Sequence, residues 1–229
     1  MEALAMRLNF LRRSTTWLIL AILLAGCSAE SEPLPSAAIG KGTSGSTAPA
    51  AQRQAVEFVN DYPVVAITTN YGVITVKLDA LKAPVTVNNF LWSATHGDYD
   101  GTVFHQVQRD YVAVAGEYDA RLTRRAVTNT IRNEADNGLA NVKGTIAMTR
   151  DPNVIDSSTG PFFLNLVDNP HLDHQSADSA AEFGYCVFGS VVEGMDVVEQ
   201  IAAADVAARG DLEHVPVKAV VIEKMKRIR

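Results

Sequence analysis

Short runs of β-branched residues, separated by turn residues, dominate the chain from Tyr62 onward. The first two runs, 64–69 and 73–78, are joined by Asn70-Tyr71-Gly72 and predict a hairpin. Further strands are predicted at 103–107, 111–116, 144–149, 162–167, 185–192 and 217–225. This pattern indicates an all-β domain over residues 61–229, in which an antiparallel sheet closes or packs on itself.

Two segments show helical spacing instead of alternation. In the first, Pro84 is favoured in the first helical turn, and apolar residues recur on one face as far as Leu91. Gly97 is a residue at which this helix is expected to end. The second, 195–204, places its apolar residues at helical intervals. We therefore expect two helices beside the sheet.

The start of the chain has the order of an export signal. A basic stretch precedes an apolar run over 17–25, which is shorter than the roughly 20 residues that span a bilayer core. The basic residues are Arg7, Arg12 and Arg13. The run ends in Leu-Ala-Gly-Cys27, which resembles the bacterial lipobox, whose cysteine is lipidated and becomes the mature N-terminus. We expect a signal peptide at 1–26 and a lipid on Cys27. An ordinary secretory signal with a chance cysteine and an uncleaved anchor are the alternatives, and Met6 is a second candidate start.

A segment rich in Ser, Ala, Gly, Thr and Pro follows the cysteine, and together they make up residues 27–60. It offers too little apolar area to offset the entropy of ordering, so we expect a flexible tether. Ser28 fits the outer-membrane sorting that lipoprotein rules imply. The expected location is the bacterial cell envelope, lipid-anchored and facing the periplasm, with the outer membrane favoured.

The charge balance excludes one class of partner. The formal charge is −6, and removing residues 1–26 takes away one acid and three arginines, which leaves −8. Nucleic acid is not expected, because phosphate backbones need a surplus of Lys and Arg. The two cysteines do not indicate a disulfide scaffold, since Cys27 is the expected anchor and Cys186 lies in an apolar strand.

Three segments, in order, carry a family resemblance. Residues 102–107, Thr-Val-Phe-His-Gln-Val, follow an aromatic-Asp-Gly turn, and residues 133–139 read Asn-Glu-Ala-Asp-Asn-Gly-Leu. Phe-Phe-Leu-Asn at 162–165 precedes Asn-Pro-His-Leu-Asp at 169–173 and Phe-Gly-Tyr-Cys-Val-Phe-Gly at 183–189. Over residues 62–226 this resembles the cyclophilins, a family of peptidyl-prolyl cis-trans isomerases, and bacterial periplasmic members in particular. The resemblance implies a closed eight-stranded antiparallel barrel capped by two helices.

The implied reaction is rotation about X-Pro peptide bonds. Amide resonance sets a barrier of roughly 18–20 kcal/mol, and uncatalysed exchange takes tens of seconds. A site that binds the twisted amide better than the planar one accelerates exchange without a metal, a cofactor or a covalent step. An apolar pocket for the proline ring and a donor near the pyramidal nitrogen meet that need. The expected partners are proline-containing unfolded or exported polypeptides, and the expected state is a monomer.

The resemblance also implies site residues. His105, which matches the histidine of the family's Phe-His-Arg motif, is expected in the catalytic set with Gln106 and Arg150. The implied substrate-binding residues are Phe104, Tyr111, Val112, Met148, Thr149, Phe163, Leu172 and Tyr185. Plain barrel core is the alternative for Val112, Phe163 and Leu172. No metal is expected, because His171 and His174 fit exposed loop positions better than a ligand pair.

The chain departs from the family where the polar contacts are expected. Gln106 stands in place of the family's arginine, Val114 in place of one glutamine and Pro161 in place of another. Gln106 still carries an NH₂ donor but lacks the fork of an arginine. A loss of about 1–2 kcal/mol of transition-state stabilisation slows a reaction about 5- to 30-fold. Arg150 is the expected substitute guanidinium, with a solvated surface charge as its alternative, whereas Arg109 is expected on the opposite face.

Two functions fit these features. The first is a lipid-anchored isomerase of reduced efficiency that assists the folding of exported proteins. The second is a catalytically weak or inactive module that binds proline-containing segments, or a chaperone. The first is our expectation, because the apolar pocket residues are retained.

Overall fold

The structure, a computed structural model, describes residues 60–125 and 129–229. The strands in these ranges are β1 Val64–Thr69, β2 Gly72–Leu78, β3 Thr102–Val107, β4 Val112–Asp119, β5 Thr145–Met148, β6 Phe162–Asn165, β7 Val187–Glu193, β8 Val206–Arg209, β9 Leu212–Pro216 and β10 Ile222–Arg227. The helices are α1 Pro84–His96, α2 Ala180–Phe183 and α3 Met195–Ala202, with 3₁₀ turns at Ala135–Asn137 and Pro170–Leu172. The expected signal peptide at 1–26, the anchor Cys27 and the tether up to residue 59 lie outside the described residues. None of the described helices has the length and apolar character needed to cross a membrane.

Eight of these strands form one antiparallel sheet in the order β10-β1-β2-β7-β5-β6-β4-β3. The two outer strands of that order meet, because Val103 bridges Val221 and the amide of Phe104 donates to the carbonyl of Val220 at 2.9 Å. The sheet is therefore a nearly closed barrel. Strands β8 and β9 form a separate hairpin.

Aromatic rings fill the barrel interior. Phe90 of α1 lies 5.5 Å from Phe162 in an edge-on arrangement, 5.1 Å from Phe188 and 5.3 Å from Tyr99, measured between ring centroids. Phe104 and Met148 belong to the same buried cluster. Burying rings of this size supplies much of the apolar stabilisation of a domain.

The helices α1 and α3 cover opposite ends of the barrel. α1 packs beside Phe162 and Phe188, which lie in the first two residues of β6 and β7, and α3, which contacts β2, buries its Val198 and Ile201. α1 ends at Gly97, whose φ of 76° forms a left-handed cap, as the sequence predicts.

The amino end of α1 is capped from a distant segment. The carboxylate of Glu134 accepts hydrogen bonds from the amides of Val85 (3.1 Å) and Thr86 (2.9 Å) and from the Thr86 hydroxyl (2.8 Å). These amides lack partners within the helix, and the negative charge of the carboxylate also interacts favourably with the positive end of the helix dipole. The segment 133–139 therefore has a structural role that its resemblance to the family did not reveal.

The barrel and the two end helices confirm the expected fold, but one predicted strand boundary was wrong and two short elements were not predicted. The strand expected at 217–225 begins only at Ile222, and the preceding residues connect it to β9. The hairpin β8–β9 was not expected, since its first strand is exposed along its whole length and has no buried face to mark it. The short helix α2, which Ser179 caps, was also not expected.

Replacing Glu134 by alanine should lower the free energy of unfolding by about 1–3 kcal/mol, because three donors lose a charged acceptor. Urea unfolding followed by circular dichroism measures this. Asp136→Ala is the matched control, since its pair with Arg132 is long at 3.9 Å and exposed. Equal losses in the two variants would contradict the capping role.

Candidate active site

A row of side chains crosses five strands on the outer face of the barrel. The strand register pairs Gln106 with Val114, Val114 with Phe163, Phe163 with Ala147, and Ala147 with Val187. Directly paired residues point to the same face of a sheet. Gln106 therefore shares a face with Phe163, and their backbones are two strand spacings, or about 10 Å, apart across the sheet.

A second apolar cluster, which we call the apolar patch, lies along this row. Its buried members are Val112, Ala147, Phe163, Leu172 and Val187, and Tyr111, Val114, Leu139 and Tyr185 pack against them. Five of the expected substrate-binding residues thus come together, namely Tyr111, Val112, Phe163, Leu172 and Tyr185. The patch is separate from the cluster that fills the barrel interior, so Val112, Phe163 and Leu172 are not part of that interior cluster.

The two tyrosines form the accessible rim of the patch. Tyr185 meets the Phe163 ring edge-on at 5.8 Å, and Tyr111 stacks on His171 at 5.5 Å. Burial raises the pKa of Tyr111, and the proximity of Tyr185 raises it further. The Tyr111 phenol is therefore neutral at physiological pH and can donate a hydrogen bond.

A polar groove of about 630 Å³ continues the patch along the same strands. Thr149 lies two residues after Ala147, and Pro161 lies two residues before Phe163, so both share the face of the patch. The hydroxyl of Thr149 donates to the carbonyl of Pro161 at 3.0 Å. The groove lining is Glu117, Arg124, Arg125, Thr149, Arg150, Asp151, Ser157, Thr159 and Pro161.

His105 lies beside this face on β3, and only 4% of it is exposed. Its Nε2 atom is 3.7 Å from the carboxylate of Glu117, and its ring centroid is 4.7 Å from that of Tyr118. Its Nδ1 atom has no hydrogen-bond partner within the described residues. Burial lowers the pKa of His105, and the charge of Glu117 opposes that shift only in part. His105 is therefore neutral at physiological pH, and its contacts are with Glu117 and Tyr118 of the neighbouring strand β4.

Arg150 lies between the groove and the patch, where its guanidinium is already bound. Its Nε atom donates to the carbonyl of Gly184 at 2.8 Å, one terminal nitrogen to that of Asp151 at 2.8 Å, and the other to that of Ala180. The guanidinium also lies 4.7 Å from the centre of the Tyr185 ring. This geometry does not favour the expectation that Arg150 donates to a substrate amide, nor is the residue a simple solvated charge.

Phe104 and Met148 require a correction. They were expected to bind substrate, but they lie in the barrel interior with about 1% exposure each. On β5 the alternation of side chains explains this, because Met148 is adjacent to Ala147, which faces the patch. On β3 the pairing with β4 shifts register between Phe104 and Gln106, so Phe104 faces inward although Gln106, two residues later, faces outward. Arg109, as expected, lies elsewhere, where it reaches the carbonyls of Ala202 and Ala203 after α3.

Sequence reasoning missed several residues of the site. Ala147, Val187 and Leu139 belong to the patch, and the first two could have been found from the alternation around Met148 and Phe188. Glu117 and Arg124 form an ion pair at 2.6 Å on the groove, and no local pattern marks them. Asn137, whose side-chain amide donates to the carbonyl of Val187 at 2.9 Å, holds the patch edge.

A nearly closed eight-stranded barrel with an external apolar patch and an adjoining groove defines the class of this protein. A family model for the cyclophilin type peptidyl-prolyl cis-trans isomerases matches residues 64–227. The chain is 41% identical over 165 residues to peptidyl-prolyl cis-trans isomerase A of Dickeya dadantii, covering 72% of this chain and 84% of that one. It is 40% identical over 162 residues to peptidyl-prolyl cis-trans isomerase B of Escherichia coli, covering 71% and 98%.

Solved structures agree on the fold. A cyclophilin type peptidyl-prolyl cis-trans isomerase of Cryptosporidium parvum superposes with a TM-score of 0.60 at 18% identity, over 73% of this chain and 98% of that one. The same protein solved in the presence of the dipeptide Ala-Pro gives a TM-score of 0.59. The chain belongs to the family of cyclophilin type peptidyl-prolyl cis-trans isomerases, enzymes that act on proline-containing peptides.

The buried His105 should make folding stability depend on pH. Its pKa is lower in the folded state than the ordinary 6.5, so the unfolded chain binds more protons below that pH. The free energy of unfolding should therefore fall as the pH drops from 7 to 5, by at most about 1.4 kcal/mol per pH unit for one group. Urea unfolding at several pH values measures the slope.

The slope should be smaller in His105→Asn. His214→Asn, which changes an exposed histidine on β9, is the control and should keep the parent slope. The same slope in the parent and in His105→Asn would exclude His105 as its source.

Proposed function

We propose that this chain accelerates cis-trans exchange of X-Pro bonds in exported polypeptides, with the apolar patch holding the proline ring and Gln106 as the polar donor. The observation that carries the proposal is the row that brings Gln106, Val114 and Phe163 to one face of the sheet. The proline specificity of the relatives supports it, as does the Ala-Pro dipeptide with which one structural relative was solved.

The patch suits a proline ring because it is apolar and has few competing donors. Phe163 is 4% exposed, so a ring that reaches it must enter between the half-buried Tyr111, Val114 and Tyr185. Water is excluded from such a contact, which strengthens any hydrogen bond made at its edge. Binding the ring on one side of the amide leaves the other side of the bond to rotate.

Gln106 supplies the donor at the end of the row. Twisting an X-Pro amide breaks its resonance and leaves a lone pair on a pyramidal nitrogen. A carboxamide N–H near that nitrogen stabilises the twisted form more than the planar one, which is the condition for catalysis. A neutral amide donates more weakly than a guanidinium, so the expected activity is lower than with arginine.

Gln106→Arg should raise kcat/KM for a cis-proline peptide about 5- to 30-fold, because a charged donor adds about 1–2 kcal/mol. Exchange is measured by NMR or by a coupled protease on the purified chain. Gln200→Arg, on the exposed face of α3 and outside the patch and the groove, adds the same charge and should leave kcat/KM unchanged. Parent rates indistinguishable from buffer, with no gain in Gln106→Arg, would refute the isomerase proposal.

A binding module is the second candidate, favoured by one observation. The guanidinium nearest the patch, that of Arg150, donates to three carbonyls and leaves Gln106 as the polar donor of the row. On this account proline peptides bind and are not turned over. This function, or a chaperone role, would be supported if the parent binds a proline peptide without accelerating its cis-trans exchange and Phe163→Ala loses that binding.

The proposed setting is the periplasmic face of the cell envelope, with a lipid on Cys27 as the anchor and the outer membrane favoured. It rests on the order of the basic stretch, apolar run and cysteine in the sequence. Cys27→Ser should move the chain from the membrane fraction to the soluble fraction of expressing cells, because the thiol that would carry the lipid is gone. Cys186→Ser is the control. Unchanged membrane association of Cys27→Ser would contradict a lipid anchor at this residue.

A further inference from the structure

Three contacts connect Arg150 with the chain that leads into Tyr185. Its Nε atom donates to the carbonyl of Gly184, the residue immediately before Tyr185, and a terminal nitrogen donates to the carbonyl of Ala180 in α2. Its guanidinium lies over the Tyr185 ring at 4.7 Å. One planar group thus binds both the backbone before Tyr185 and the face of its side chain.

The backbone at Gly184 is held tightly on other sides. Its φ is +76°, and a Cβ there would lie 2.6 Å from the carbonyl carbon of Asp173 and 2.7 Å from the amide nitrogen of His174. The Gly184 carbonyl also accepts from the side chain of Asn133 at 3.0 Å. The two ends of the segment 173–184 therefore touch, and Arg150 and Asn133 share one carbonyl at that junction.

The neighbouring hydrogen bonds fix the direction in which Tyr185 leaves this junction. Its amide donates to the carbonyl of Leu172 at 2.9 Å, and its ring meets the edge of Phe163 at 5.8 Å. Leu172, Phe163 and Tyr185 are all in the apolar patch. The position of one patch wall thus depends on contacts with Arg150, which is not itself part of the patch.

We infer that Arg150 is a positioning residue, which holds Tyr185 against Phe163 and thereby sets the affinity of the patch for proline. Its effect passes through Tyr185 and does not require a hydrogen bond from the guanidinium to the substrate. This inference rests on the proposed function in assigning the patch to the proline ring. It gives Arg150 a role different from the substitute catalytic arginine that the sequence suggests.

A double-mutant cycle on the full chain tests this. The affinity for a short Ala-Pro peptide and the exchange rate at saturating peptide are measured by NMR for the parent, Arg150→Gln, Tyr185→Leu and the double variant. Arg150→Gln should weaken the affinity about 5- to 30-fold, since stacking and hydrogen bonds to carbonyls are lost. The saturated rate should change less than two- to three-fold, which is within the spread of such measurements. In the Tyr185→Leu background, Arg150→Gln should weaken the affinity for the peptide by less than about two-fold.

Two results would overturn the inference. One is a fall in the saturated rate with unchanged affinity, which would make Arg150 a donor to the twisted amide. The other is an equal loss of affinity in both backgrounds, which would mean that Arg150 acts independently of Tyr185. Arg209→Gln, which also removes an arginine that donates to a backbone carbonyl, is the control and should keep both values.

A structural measurement separates this inference from the proposed function. In the free protein, the nuclear Overhauser effect between the Phe163 and Tyr185 rings should be lost or weakened in Arg150→Gln and kept in Arg209→Gln. If Arg150→Gln does not fold, Arg150→Lys replaces it, since lysine keeps the charge and loses the planar stack. An undiminished ring contact overturns the inference even if the parent is an active isomerase. If the contact is lost in Arg150→Gln and the parent shows no turnover, the inference is supported and the proposed activity is refuted.

Discussion

The alternation of side chains along β4, β5 and β6 is the constraint on which the rest of this structure depends. Phe162, Leu164 and Met148 point into the barrel, while Phe163 and Ala147, adjacent to them, point outward. The interior set supplies the apolar burial that closes the barrel, and the outward set forms a second cluster on the same three strands. A shift of one residue in register would exchange the two sets, so stability and the candidate site are fixed together.

Hydrogen bonds at the edges of the apolar patch, which is the outward cluster, fix the position of its walls. Asn137 binds the carbonyl of Val187, Asn133 and Arg150 bind that of Gly184, and Glu134 caps the helix that closes the barrel beside them. The segment 133–139 thus connects α1 to two walls of the patch. Buried amide contacts of this kind cost more to break than they contribute, which favours one arrangement of the walls. A patch with fixed walls loses little entropy when it binds a ring.

Much of the fold could be predicted from the sequence, because β-branched runs, turn residues and the Gly97 cap are local signals. The predicted patch residues Tyr111, Val112, Phe163, Leu172 and Tyr185 also come together. The prediction that Phe104 and Met148 bind substrate was wrong, because membership of a motif does not say which face of a strand a residue occupies. The bound state of Arg150 and the ion pair of Glu117 with Arg124 depend on contacts between segments far apart in the chain, which no local pattern contains.

The central claim is that the face carrying Gln106, Val114 and Phe163 binds the proline of a substrate. Nuclear Overhauser effects between a bound Ala-Pro peptide and the protein test this most directly. The account predicts contacts from the proline ring protons to the ring of Phe163 and the methyl groups of Val114, with the amide protons of the Gln106 side chain near the prolyl nitrogen. Proline contacts confined to another surface, such as the β8–β9 hairpin or the exposed side of α3, would contradict it.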